Sequence, residues 1–157
     1  MERLTSFSDL LAFLEEAKLP HQSDASQQLV EVPTSSGPLK GSVYIRWEQH
    51  LPYVQIIHPM VLDVPPERQS DVEHAICKVN GAITPPGFGF EYGKRFIYFR
   101  LCVPIYEDGM LTGSFQRQVL GVIHSARDFL LPFRDVVGGR PGDEIVDLAV
   151  AHARKPA

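Results

Sequence analysis

Residues 87–137 restrict the fold of this chain more than any other stretch. They open as GFGFEYGKRFIYFRLCVP, which alternates with a period of two, and close as SFQRQVLGVIHSARDFLLPFRDVV, which carries apolar residues at helical spacing. Period two means a strand with one face buried, and a 4,3 step means a helix with one apolar stripe. The segment therefore reads as a hairpin feeding one long amphipathic helix. An earlier stretch, SVYIRWEQHLPYVQIIHPMV followed by VPPERQSDVEHAICKVN, has the same form. Two strand-pair-then-helix units in 157 residues predict a single α+β domain on an antiparallel sheet.

The elements follow in the order α-β-β-β-α-β-β-α. Ser6 with Asp9 three residues on forms a capping-box-like start, and Phe7, Leu10, Leu11 and Leu14 make one stripe that Pro20 is expected to end. The polar run 20–28 reads as a loop. Leu29–Val32, Val43–Trp47 and Tyr53–Met60 predict a three-stranded meander. Pro65-Pro66 suit a helix start, where a missing N–H costs little, and Asn80-Gly81 its stop. The second hairpin turns at Tyr92-Gly93-Lys94-Arg95. The last long helix has its seam at Phe115, Val119, Val122, Ala126, Phe129 and Phe133, and Pro132 is expected to bend or stop it. The domain is placed at 1–137. Residues 138–157 read as an extension: a short helix through Ile145, Val146 and Leu148, then a frayed tail from Ala153.

Strand 95–103 carries the most telling pattern. Ile97, Phe99, Leu101 and Val103 make one apolar face, yet the other shows Phe96, Tyr98, Arg100 and Cys102. A sheet solvated on one side normally alternates apolar with polar. The meander repeats the theme with Tyr44 and Arg46 on one face, and with Tyr53 and Ile57 on a face that could continue it. Tyr, Phe and Arg are enriched at the centres of protein interfaces. Tyr44, Arg46, Tyr53, Phe96, Tyr98 and Arg100 are accordingly the candidate partner-binding residues, and the expected occupant is a second copy or a client polypeptide. A further helix of the chain covering this face is the plainer alternative.

Little in the sequence suggests catalysis. Six histidines include no His-x3-His pair and the two cysteines no Cys-x2-Cys, so metal-ligand spacing is absent. His74 and Cys77 share a helical face, but they lack an orienting third group; Cys77 is expected to be buried and His74 solvated. His58 falls on the core parity of its strand, and His124 lies off the seam of its helix. Gly87–Gly93 is G-x-G-x-x-x-G leading into a strand, not a dinucleotide fingerprint opening a helix. It reads as a strand whose glycines admit a close neighbour. The pairs Glu15-Glu16, Glu107-Asp108 and Asp143-Glu144 fall on predicted surfaces or turns, and no G-x-S-x-G elbow is present. No enzyme, cofactor or metal is expected. A formal charge of −4 with scattered basic residues argues against nucleic acid. The N-terminal segment reads as a mature helix, not a signal peptide, and no apolar run nears the ~20 residues of a membrane span. No membrane partner and a cytoplasmic location are expected.

Where VEHAICKVNGA joins GFGFEYGKRFIYFRLCVP, the chain resembles the YbjN family. The matching positions are Val79-Asn80, Phe88–Tyr92, Arg100-Leu101 and Val103-Pro104, followed by Asp128 before Leu131-Pro132. Tyr53–Leu62, closed by Pro65-Pro66-Glu67-Arg68, fits as well. The resemblance implies the fold of type III secretion chaperones, whose members are usually homodimers that bind an extended segment of another protein and catalyse nothing. The 20–28 loop, Pro85-Pro86 and the helix after Pro141 are not required by that pattern. The leading expectation is a non-catalytic, dimeric, chaperone-like or adaptor domain. The competing one is a small-ligand-binding regulatory domain, with the loops around Gly87–Gly93 closing a pocket.

Overall fold

The computed structural model describes residues 3–153. The chain is α+β, and its centre is a six-stranded antiparallel sheet in the order β2-β3-β4-β5-β7-β6. The strands are β2 (Gln22–Asp24), β3 (Leu29–Ser36), β4 (Leu39–Trp47), β5 (Tyr53–Met60), β6 (Phe88–Glu91) and β7 (Phe96–Pro104). A separate two-stranded pair joins β1 (Arg3–Leu4) to β8 (Met110–Leu111). The helices are α1 (Phe7–Glu16), α2 (Gln69–Ala82), α3 (Thr112–Val137) and α4 (Gly142–Ala153).

Alternation divides the sheet into two unlike faces. Val30, Val32, Val43, Ile45, Val54, Ile56, Ile97, Phe99 and Val103 point one way and are buried. Helix α3 lies across β3, β4, β5 and β7, α2 packs on β6, and α4 packs on α2 and α3. The core thus sits between one sheet face and a helical layer. Its aromatic centre is Phe88, whose ring meets Phe99 at 4.8 Å, Phe133 at 5.1 Å and Phe129 at 5.2 Å.

Several local rules were overridden. The 20–28 segment is not all loop, because Gln22–Asp24 pairs with Leu29–Glu31 as a short edge strand. Helix α1 stops before Pro20. Lys18 adopts a left-handed backbone with φ of 54°. Its N–H donates to Glu15 O while that of Leu19 donates to Leu14 O, a Schellman closure. Helix α3 runs through Pro132 to Val137 instead of stopping. Proline removes one N–H and crowds one carbonyl. Here Phe129 and Phe133 on either side are both anchored to Phe88, and packing holds the helix across the defect.

Asn80 welds α2 to the second hairpin. Its Oδ1 accepts from Gly87 N (3.1 Å) and Phe88 N (3.0 Å), and its Nδ2 donates to Phe88 O (2.8 Å). The hairpin loop closes where expected, with Glu91 paired to Phe96 and the Glu91 carboxylate accepting from Gly93 N and Lys94 N. Helix α4 docks with Gly142 against Ala75, Val146 buried, and Asp143 bonded to Lys78 and His74. The tail expected to fray lies, beyond Ala153, outside the described residues.

Candidate functional site: the uncovered face of the sheet

The second face of the sheet carries all six of the candidate contact residues. Strand pairing arranges them in rows. Glu31, Tyr44, Ile57 and Arg100 lie side by side across four strands, and Leu29, Arg46, Gln55 and Cys102 form the next row. Tyr98 sits between Pro59 and Gly89, and Phe96 is paired with Glu91. Tyr44, Ile57, Phe96 and Tyr98 are half-buried, and Arg46 and Arg100 are exposed. None of these belongs to the buried core. Val61, just past the end of β5, is 80% exposed. A single exposed apolar residue is ordinary, whereas this set is contiguous.

Local contacts order the face. The Arg100 guanidinium lies 5.8 Å from the Tyr98 ring centroid, and Phe96 meets Tyr98 edge-to-face at 6.4 Å. Gly89 makes room for Tyr98: a Cβ there would overlap its ring. Gly87 does the same for the Arg100 carbonyl and the Phe99 ring. The glycines expected to admit a close neighbour therefore do so, one chiefly for a backbone and one for a side chain. Tyr44 donates to Glu31, and burial, reinforced by that carboxylate, raises the phenol pKa. Arg46 approaches Glu48 at 3.8 Å, and Gln55 donates to the same carboxylate oxygen at 2.7 Å.

Tyr53 stands apart. It pairs with Pro104 at the opposite end of β7 from Phe96, about 27 Å away at ~3.4 Å per residue. Its carbonyl accepts from Glu48 N and its own N–H donates to Leu51 O, at the turn between β4 and β5. Five of the six candidates are contiguous and the sixth marks the far rim. Glu31 and Leu29 also form part of the face. They were missed because membership depends on strand register, which one strand's alternation does not reveal.

The remaining candidates separate cleanly. Cys77 is exposed, contrary to the buried placement expected for it, because the α2 stripe runs through Val72, Ala75, Ile76 and Val79 and leaves position 77 outside. His74 is solvent-facing beside Asp143, 3.3 Å away. His58 is fully buried and satisfied: Nδ1 is 2.8 Å from Pro59 O and Nε2 is 3.0 Å from Thr34 Oγ1. Asp108 and Asp143 serve surface ion pairs with Arg3 and Lys78. Gly87 and Gly89 are each backed by an aromatic ring. Among the described residues, no group of three or more His, Cys, Asp or Glu side chains could hold a metal ion. Nor, among those residues, is any helix long and apolar enough to cross a membrane.

No family model and no curated protein sequence matches the chain. Among solved structures, the chain is similar to YbjN from E. coli, described as a candidate transcription regulator. The TM-score is 0.55 and the identity 8%, over 98% of this chain and 94% of that one. The two share a fold.

Proposed function

Proceeding from the fold shared with YbjN, we propose that this chain is a non-catalytic adaptor or chaperone-like domain. It acts as a homodimer, in the cytoplasm, and captures a polypeptide. One observation carries the reading: among the described residues the buried side chains of the sheet lie on the face that α3 packs against, while Tyr44, Ile57, Phe96, Tyr98, Arg46 and Arg100 on the other face are half-buried or exposed. The six strands hold 41 residues, and at ~3.4 Å per residue and ~4.8 Å between strands they present roughly 670 Å², near the ~800 Å² that each partner contributes to a standard interface. Arg46 and Arg100 lie in rows with Glu31 and Gln55, and such mixed polarity suits an isologous, self-complementary contact. The resemblance to the YbjN family supports the same reading. A regulatory role of the kind named for YbjN fits an adaptor that works through protein contacts, since the chain's charge of −4 disfavours a phosphate backbone.

The test is solution mass by light scattering across a hundredfold dilution, for wild type, Tyr98→Glu and Tyr106→Glu. Tyr106 is 70% exposed and lies outside the sheet, so its variant controls for added charge. The expected result is a wild-type dimer that Tyr98→Glu splits and Tyr106→Glu leaves intact. A monomeric wild type at every concentration would overturn the dimer. A dimer indifferent to Tyr98→Glu would move the interface off this face.

A further inference from the structure

A second feature lies on the opposite side of the sheet. A cavity of about 250 Å³ is walled by Leu14 of α1, Val119 and Ile123 of α3, and Val32 and Val43 of the sheet. Leu19 and Leu120 stand at its rim, 40% and 50% exposed. Its origin is local. The Schellman closure at Lys18 turns the chain away after Leu14, and β2 pairs only with Leu29–Glu31. From Val32 onward no strand among the described residues pairs with the outer edge of β3, and the space between α1, α3 and that edge stays open.

The lining narrows the choice of occupant. No charged side chain lines the cavity; its polar residues are Thr34 and Gln116. Small-molecule sites have this character, largely apolar with a few fixed polar groups. A dry cavity of ~150 Å³ accepts benzene, so about 250 Å³ suits a somewhat larger molecule. Phe115 to Ile123 spans eight residues of α3, about 12 Å at ~1.5 Å per residue, which makes the space a slot. A polypeptide strand is a poor fit. Pro33 lies on the free edge of β3, and without an N–H it cannot support strand addition there.

Thr34 has a fixed polarity. Pro59 O can only accept, so His58 Nδ1 carries the ring proton and Nε2 is the acceptor. Thr34 then spends its one hydroxyl proton within the protein, on Nε2 at 3.0 Å or on Gly41 O at 3.4 Å, and either way only acceptor capacity remains on Oγ1. A ligand that meets this wall needs a donor.

We propose that this cavity binds a small, uncharged, elongated apolar molecule bearing one hydrogen-bond donor, the chemistry of a medium-chain aliphatic alcohol. The test is calorimetric titration of the intact chain with 1-octanol, 1-methoxyheptane and octanoate, with methyl NMR shifts to locate binding. The expected result is saturable 1:1 binding of octanol, with shifts at Val32, Val43 and Val119. The ether, equal in size but without a donor, should bind about fivefold more weakly, the worth of one hydrogen bond. Octanoate should bind at least tenfold more weakly, because its charge would be stranded among apolar walls. Val119→Trp should fill the slot and abolish binding; should it fail to fold, Leu120→Trp at the exposed rim blocks the mouth. Absence of saturable octanol binding, shifts confined to the outer sheet face, or binding that survives a folded blocking variant would overturn the site. Octanoate binding as tightly as octanol, or the ether doing so, would overturn the ligand chemistry.

Discussion

Among the described residues, His58 is the one polar side chain within the buried core. Burial lowers its pKa from the usual 6.5, opposed by its bond to the Pro59 carbonyl. Gly41, with φ of 139°, lies against the ring and leaves it room to reach Thr34. The sign of the pH effect follows. Below 6.5 the unfolded chain binds a proton that the folded chain still refuses, so stability falls as the pH drops towards the folded pKa. Above 6.5 the contribution is flat. Urea midpoints between pH 7.5 and 5.5 should show a loss of at most about 1.4 kcal/mol per pH unit, removed in His58→Gln. An unchanged slope in that variant would exclude His58 as its source. The strand parity of His58 was readable from Val54 and Ile56. Its Thr34 partner was not, because that contact depends on how β3, β4 and β5 align.

At the scale of elements, α3 shows a local rule losing to packing. Its buried stripe follows the 4,3 steps from Phe115 to Phe133, apart from a half-buried Val119 beside the cavity. Pro132 should have ended it, yet the helix continues for five residues and buries Phe133 and Val136. Proline in a helix interior costs roughly 3 kcal/mol, and a few buried aromatic and aliphatic side chains at about 1.5–3 kcal/mol each exceed that. Pro132→Ala should therefore raise stability, by about 1–2 kcal/mol in urea unfolding, once the unfolded chain's added entropy is subtracted. A fall in stability would show that the proline shapes a bend on which the packing depends. Punctuation was also overrun in α2, which continues through Asn80-Gly81 to Ala82, whereas the start of α1 obeyed it. Ser6 caps α1, accepting from Asp9 N, while the Asp9 carboxylate reaches back to Thr5 N and Oγ1.

For the molecule as a whole, the layering is the main result. Helices cover one face of the sheet, and the outer face keeps aromatic and arginine side chains in view. Helix α4 belongs to the covering layer: Val146 is buried, and Gly142 lies against Ala75 and Val136. A chain truncated after Gly139 should still unfold cooperatively but lose about 2 kcal/mol in urea denaturation, the worth of one buried aliphatic side chain with its neighbours. Failure of that truncation to fold would mean that 1–137 is not an independent domain.

The sequence by itself determined what short-range periodicity can carry: an antiparallel α+β order, the meander, the second hairpin with its 92–95 turn, and the apolar seam of α3. Each of these depends on residues two to four positions apart. Only the tertiary structure decided which strands became neighbours, and hence that Tyr44, Ile57 and Arg100 share a row with Glu31 while Tyr53 stands about 27 Å from Phe96. It also decided that α3 outlasts Pro132, that Cys77 faces solvent, and that a slot opens beside the free edge of β3. The physical reason is common to all of them. Register, burial and voids follow from summed contacts between segments far apart in the chain, and those contacts outweigh the local preferences that a sequence displays.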